Sequence, residues 1–174
     1  MYLSDEHIEA HVLRQGDIIQ NVHVLGALNY KGITYNYDNT GAPTGWEIKR
    51  PPELGHSLVL SHSCEIEESN GVKLTSIILA PIRDIHTATK AEKIEDLIAS
   101  NLITDETTVS YLKYFYLESN PKLPFDNGSI ADFSKLFSVR KQCYDFLLAN
   151  KILQLQEDRA KQMALKLALY FSRG

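Results

Sequence analysis

A short stretch near the middle of the chain concentrates side chains that could carry out chemistry. In the sequence HSLVLSHSCEI, residues 56–66, a nucleophile, a base and an acid stand within a few positions of one another. A cysteine near histidines can be held as the thiolate, which is the reactive form of this side chain. The candidate catalytic residues of this stretch are His56, His62, Cys64 and Glu65.

Cys64 admits a structural interpretation beside the catalytic one, because a free cysteine is often a small buried core residue. If the stretch is an extended strand, His62 and Cys64 share one face and Glu65 lies on the other. A structural zinc site usually takes four ligands in pairs such as Cys-x-x-Cys, and the second cysteine, Cys143, stands alone. We therefore predict neither a metal site nor a cofactor.

Cleavage of RNA by its own 2′-OH is a second kind of chemistry that these residues could perform. It needs a base, an acid and a cation that holds the phosphate. The candidates are Asp17, His56, His62 and Glu65 for proton transfer, and Arg14 and Arg50 for the phosphate, since guanidinium binds its oxygens bidentately. We assign Arg50 to the catalytic set, and Arg14 and Asp17 to the binding set.

Two tyrosines complete the predicted binding set. Tyr35 and Tyr37 alternate with polar residues in ITYNY, which is typical of a half-buried strand. Aromatic rings at such positions can stack on the bases of single-stranded RNA. The same alternation is also typical of ordinary core residues, so both interpretations stay open.

The elements that must position these side chains are short strands. Leu58 and Leu60 alternate with Val59, so residues 56–62 have apolar side chains on both faces, as a central strand does. Similar signals predict strands at 15–20, 33–37 and 75–80. Because the connections are short, we expect these strands to form one curved, mainly antiparallel sheet.

The later part of the chain predicts helices. Thr89 and Glu92 fit a capping box at the start of an inserted helix. Two further helices are predicted toward the C-terminus, with a break at 150–153. The apolar stripe of the first is Val139, Cys143, Phe146 and Leu147, and that of the second is Ala160, Met163, Ala164, Leu167, Ala168 and Phe171. The end of the second helix is apolar nearly all round, which predicts that it is buried.

Composition limits the class of protein. The chain has 174 residues, of which 44% are hydrophobic and 23% charged, as expected for a folded domain with a real core. The formal net charge of -4 argues against a broad, nonspecific nucleic-acid binder. No signal peptide or membrane-spanning run is evident, and the two cysteines indicate a reducing compartment. We therefore expect a cytoplasmic protein.

Three segments, in this order and spacing, resemble the PemK/MazF/Kid-like growth-inhibitor toxins. They are RQGDII at 14–19, HSLVLSHS at 56–63 and SIILAPI at 76–82. The family carries an Arg-Pro directly before its Val-Leu-Ser strand, whereas here Arg50-Pro51 lies several residues upstream of it. The resemblance covers about residues 13–85 and implies an SH3-like β-barrel in a longer branch related to these toxins.

The predicted fold is mainly β, of the α+β class: an SH3-like curved antiparallel β-barrel with an inserted helix and two C-terminal helices. We expect a single domain over 1–174, with a barrel core at 13–85, a helix and strand insertion at 86–133 and C-terminal helices at 134–174.

The resemblance implies a toxin-like or toxin-derived protein that acts on RNA, as a metal-independent endoribonuclease. Two alternatives stay open, namely a noncatalytic protein- or nucleic-acid-binding module and a Cys64-dependent enzyme. The expected partners are RNA, an antitoxin-like protein and a second copy of the chain, bound through the C-terminal helices. No membrane partner is expected.

Overall fold

The computed structural model of the chain describes residues 1–23, 33–48, 54–66, 75–103 and 109–173. For residues 23, 33–36, 43, 45–48, 64, 65, 91 and 109 it describes the backbone alone. The strands in these ranges are β1 (Asp17–His23), β2 (Ile33–Tyr37), β3 (Pro43–Ile48), β4 (Leu54–Val59), β5 (Ser76–Asp84), β6 (Tyr114–Leu117), β7 (Ser129–Asp132), β8 (Phe137–Arg140) and β9 (Lys151–Gln154). The α-helices are α1 (Ser63–Ile66), α2 (Ile94–Ala99), α3 (Tyr144–Ala149) and α4 (Glu157–Ser172), and short 3₁₀ turns join several elements.

Seven strands form one antiparallel sheet that curls into a half-barrel, so the chain is an α+β protein. The strand order is β6-β7-β5-β4-β1-β9, and β8 pairs with the first half of β5. Strand β5 continues through Pro81, where we had expected it to end. Pro81 lies where the partner of β5 changes from β8 to β7, a position at which no ladder partner on that side needs an N–H.

Strands β1 and β4 are buried on both faces, as the alternation of residues 56–62 predicted for β4. Ile18 of β1 and Leu58 of β4 belong to one core cluster, which α4 covers with Met163. The next residues along each strand, Ile19 and Val59, belong to a second cluster on the opposite face, beside α3. The strand order, in which β4 lies between β5 and β1, confirms the predicted central position of β4.

The prediction that the strand at 33–37 joins the main sheet is wrong. Strand β2 pairs with β3 in a separate two-stranded sheet. The side chain of Asp38 closes the turn between these two strands. Its Oδ1 accepts hydrogen bonds from the backbone N–H of Thr40 at 2.8 Å and of Ala42 at 3.0 Å.

The prediction of the first of the two C-terminal helices is largely wrong. Val139 lies on β8, opposite Ile77 of β5, and Cys143 ends a 3₁₀ turn. Only α3, six residues long, remains helical. The expected break between the helices is instead β9, which pairs with β1. A short apolar run fits the period of a helix and that of a strand equally well, and here pairing with a sheet edge makes the segment a strand.

The second C-terminal helix is confirmed as α4, but it is buried on one side only. Met163 is fully buried, whereas Leu165 and Phe171 are 55% and 59% exposed. Lys166, which lies outside the apolar stripe of this helix, is completely buried. The capping box before α2 is not formed, since Thr89 contacts the Tyr111 hydroxyl instead, with 3.4 Å between the two oxygens.

No helix in the described part of the chain is long and apolar enough to cross a membrane.

Candidate functional site

A cleft of about 820 Å³ opens beside the N-terminal end of α4, within the size range of small-molecule sites. We call it the Arg14 cleft. It is bounded by the N-terminal segment, the loop before β1, the loop after β4 and the first turns of α4. Its lining residues are Leu3, His7, Glu9, Arg14, Gln15, His62, Ser63, Gln154, Leu155, Glu157, Ala160, Lys161 and Ala164.

Antiparallel pairing explains why Arg14 and His62, two of the predicted site residues, line the same cleft. Strand β1 begins where its neighbour β4 ends, so the residues before one strand lie next to those after the other. Hydrogen bonds join the two loops. The Gln15 side-chain amide donates to the Leu60 carbonyl at 2.7 Å, and the Gln15 backbone N–H donates to Ser63 Oγ at 3.1 Å.

Arg14 is held in place by two carboxylates. Its Nε donates to Glu9 Oε2 at 2.8 Å, and this hydrogen bond lowers the pKa of Glu9. Its backbone N–H donates to Asp17 Oδ2 at 2.6 Å. Glu9 therefore orients the guanidinium at the cleft, and Asp17 fixes the backbone from which it projects.

Asp17, predicted to bind ligand, is completely buried and does not line the cleft. Its Oδ2 lies 2.8 Å from Nζ of Lys151, which is also buried. Burial raises the pKa of Asp17 to about 6, against the opposing effect of the Lys151 ammonium. Lys151 also donates to the backbone carbonyls of Glu9 and Val12, at 3.0 and 3.2 Å. The pair thus fixes the 9–14 loop, and Asp17 is a positioning residue.

Two imidazoles border the cleft. His62 is exposed and follows β4, and His7 lies in the N-terminal segment with Nδ1 2.6 Å from Ser4 Oγ. Imidazole is the side chain that most readily exchanges a proton near neutral pH. A cation, a candidate base and a candidate acid therefore line one cleft.

The α4 side of the cleft carries an exposed ion pair. Lys161 Nζ lies 2.6 Å from Glu157 Oε1, one helical turn earlier. The hydrogen bond between them lowers the pKa of Glu157 and raises that of Lys161. Each of the two permanent cations of the cleft is therefore accompanied by a carboxylate, which limits the net positive charge.

Among the described side chains, those of His56 and Tyr37 do not line the cleft. His56 is half-buried within β4, and burial lowers its pKa. Cys64 and Glu65 lie in α1, a helical turn, so the strand geometry expected to place His62 and Cys64 on one face is wrong. The side chains of Cys64 and Glu65 are outside the described part.

The remaining predicted residues lie elsewhere. Tyr35 and Tyr37 belong to the two-stranded sheet, where Tyr37 is 62% exposed and the side chain of Tyr35 is outside the description. Arg50 lies outside the described residues.

Sequence reasoning missed the contributions of His7, Glu9 and Lys161. His7 and Glu9 fall in a polar N-terminal stretch with no periodicity, so no local signal marks them. Lys161 could have been noticed, because it follows Glu157 at the i, i+4 spacing of a helical ion pair. Nothing in the sequence places that pair beside the loop before β1.

No known family model matches the chain, and no curated protein matches it. Among the described residues, no three His, Cys, Asp or Glu side chains lie close enough together to hold a metal ion.

Proposed function

We propose that the chain acts on RNA as a metal-independent endoribonuclease and that the Arg14 cleft is its active site. The observation that carries the proposal is that Arg14 and His62, 48 positions apart in sequence, line one cleft together with His7. Arginine binds phosphate oxygens bidentately, and histidine can give or take a proton near neutral pH. These are the groups that cleavage through the 2′-OH requires.

In the proposed reaction His62 takes the proton of the ribose 2′-OH, and the oxygen attacks the adjacent phosphorus. The bond from phosphorus to the 5′-oxygen breaks, and the leaving oxygen receives a proton from His7. The products are a 2′,3′-cyclic phosphate and a 5′-hydroxyl. Arg14 stabilises the charge that develops on the phosphoryl oxygens. The reaction needs no thiol, so Cys64 has no part in it.

The test is cleavage of a fluorescent single-stranded RNA by the full chain in the presence of a chelator. We expect Arg14→Ala and His62→Ala each to lower the rate about 10²- to 10³-fold. Arg140→Ala and His86→Ala are matched controls, because both side chains are exposed and neither lines the cleft. An unaltered rate in the folded Arg14 and His62 variants, or no cleavage by the wild type, contradicts the proposal.

We also propose that the curled sheet is the SH3-like barrel of a PemK/MazF/Kid-like protein. The adjacency of β1, β4 and β5 supports this, because these strands contain the three segments that carry the resemblance. Under this proposal the protein acts in the cytoplasm as a toxin that an antitoxin-like protein restrains. Expression of the chain should then arrest growth, and Arg14→Ala should relieve the arrest. Normal growth with folded wild-type protein present would count against the toxin role.

A second candidate function, a noncatalytic interaction module, has one observation in its favour. Leu165 and Phe171 of α4 and Phe146 of α3 are between 49% and 59% exposed, although all three are large and apolar. A second copy of the chain could cover them. Light scattering, which gives the mass of the particle in solution, tests this. A wild-type dimer that Phe171→Ser converts to a monomer would support the interaction module. A wild-type monomer would count against pairing through these helices.

A further inference from the structure

A second cleft, of about 350 Å³, lies between the segment before α2 and the start of β6. We call it the lysine cleft. It shares no lining residue with the Arg14 cleft. The lining residues on which its chemistry depends are Thr89, Lys90, Lys93, Tyr111, Lys113 and Tyr114.

Among the described residues, the charged side chains that line the lysine cleft are all lysines. Lys90, Lys93 and Lys113 line it, and no carboxylate is among the described residues that do so. The chain as a whole has a formal net charge of -4, so this cluster is not a consequence of a basic composition. Ammonium groups that converge on one concave surface attract anions, and phosphate is an anion that lysine binds well.

Two aromatic rings form one wall of the cleft, and the core holds them in place. Tyr111 and Tyr114 pack against the buried cluster of Ile85, Leu97 and Ile130. Fixed rings lose little freedom when a flat ligand stacks on them.

Polar contacts fix the same wall. The Tyr111 hydroxyl lies 3.4 Å from Thr89 Oγ1, which joins the two segments that border the cleft. Nζ of Lys113 lies 4.9 Å from the centre of the Tyr114 ring, a cation–π distance. The cleft therefore presents a positioned ammonium beside an anchored aromatic ring.

We propose that the lysine cleft binds a nucleotide, with its phosphate on the lysines and its base against the Tyr111 ring. Lysine ammoniums supply the charge for the phosphate, and aromatic faces bind any base, because every base has a π-face. The Thr89 and Ser110 hydroxyls, which also line the cleft, can hydrogen-bond to the ribose. A volume of about 350 Å³ is at the lower end of the range for ligand sites, which suits one nucleotide unit.

The proposal does not depend on RNA cleavage at the Arg14 cleft. The nucleotide can be free or part of a single strand, and the two sources share the same recognition chemistry. An oligonucleotide and a free nucleotide therefore serve as separate probes of one site.

The experiment is titration calorimetry of the full chain with ADP, with pyrophosphate and with an eight-residue single-stranded RNA. We expect ADP to bind at least about fivefold more tightly than pyrophosphate, since stacking of one base is worth about 1–3 kcal/mol. Lys93→Glu should weaken ADP binding by about tenfold or more, because it places a carboxylate opposite the phosphate. Lys135→Glu, a charge reversal at an exposed position outside the cleft, should leave it unchanged.

The arms of the experiment separate the outcomes. If ADP binds, and Lys93→Glu weakens this binding whereas Arg14→Ala does not, the cleft is a site for a free nucleotide. If only the RNA binds, and Lys93→Glu weakens it, the site holds a nucleotide within a strand. Equal affinity for ADP and pyrophosphate overturns base recognition. Failure of both ADP and RNA to bind, or binding that Lys93→Glu does not alter, overturns the site itself.

Discussion

Replacing Lys166 by methionine should stabilise the protein at neutral pH. The side chain of Lys166 is completely buried within the fold. Its Nζ donates to Ser100 Oγ at 2.7 Å and to Asn101 Oδ1 at 3.3 Å, both of which are uncharged. No carboxylate of the described residues pairs with it. A buried ammonium without a counter-ion is unstable, and burial accordingly lowers the pKa of Lys166 to about 7.

The size of the effect follows from proton linkage. The pKa of Lys166 falls from 10.5 in the exposed side chain to about 7 in the fold. One pKa unit corresponds to about 1.4 kcal/mol, so the full penalty is about 5 kcal/mol. Between these two pKa values the unfolded chain binds a proton that the folded chain lacks, and stability therefore rises with pH. The penalty is absent above pH 10.5, grows as the pH falls toward 7 and is constant below that.

Methionine suits the site because the two acceptors keep hydrogen bonds without the ammonium. Ser100 Oγ still donates to the Leu97 carbonyl at 2.6 Å. Asn101 Oδ1 still accepts from the Tyr116 backbone N–H at 2.9 Å. Methionine is also close to lysine in length and flexibility, and volume-conserving replacements are the best tolerated in a core.

The assay is urea denaturation of both proteins at pH 6, 7, 8 and 9. At pH 6 and 7 Lys166→Met should be more stable than the wild type by several kcal/mol, and the advantage should shrink by roughly 1.4 kcal/mol per pH unit above the folded pKa. The control is Lys161→Met, on the exposed side of the same helix, which should show no such pH-dependent advantage. A wild type that is the more stable protein at pH 6 would refute the reasoning, because the ammonium would then have a stabilising partner.

Two further substitutions test the elements around the Arg14 cleft, again by denaturation. Gly16 has φ +90° and a Cβ there would lie 3.2 Å from Ala160 Cβ, so Gly16→Ala should cost about 2 kcal/mol or more. Gly41→Ala, at φ +81° with no atom within 4 Å, should cost less, and equal costs would exclude crowding as a cause. Asp17→Ala should destabilise the protein by about 3–5 kcal/mol, because it leaves Lys151 buried without its carboxylate. Adding Lys151→Met should restore much of that loss, and a cost of Asp17→Ala below about 1 kcal/mol would show that the pair is not coupled.

The parts of the fold that local periodicity encodes were predicted from the sequence. Apolar residues on both faces of 56–62 placed this strand in the centre of the sheet, and Leu58 and Val59 do lie in separate core clusters. The long apolar stripe of the last helix likewise predicted α4. In each case the side chains that define the pattern belong to one element, so the neighbours need not be known.

The parts that depend on distant partners were not predicted. Strand β9 has four residues, too few for a period to be distinguished, and it is extended because β1 offers an edge for it. Lys166 is at a position that the helical pattern assigns to solvent, and it is buried because Ser100 and Asn101, more than 60 positions earlier, cover it. The candidate site could not be predicted for the same reason, since Arg14 and His62 line one cleft only because β1 pairs with β4.

The Arg14 cleft also bears on how the resemblance to the toxins should be interpreted. The resembling segments supply Arg14 and His62, but the opposite wall comes from β9 and α4, which lie far outside 13–85. The buried Lys151 of β9 fixes the 9–14 loop through Asp17 and two backbone carbonyls, so the position of Arg14 itself depends on the C-terminal part. A barrel limited to residues 13–85 would therefore lack both a wall of the cleft and the support of its arginine. If this chain cleaves RNA, its active site depends on β9 and α4 as well as on the segments that carry the resemblance.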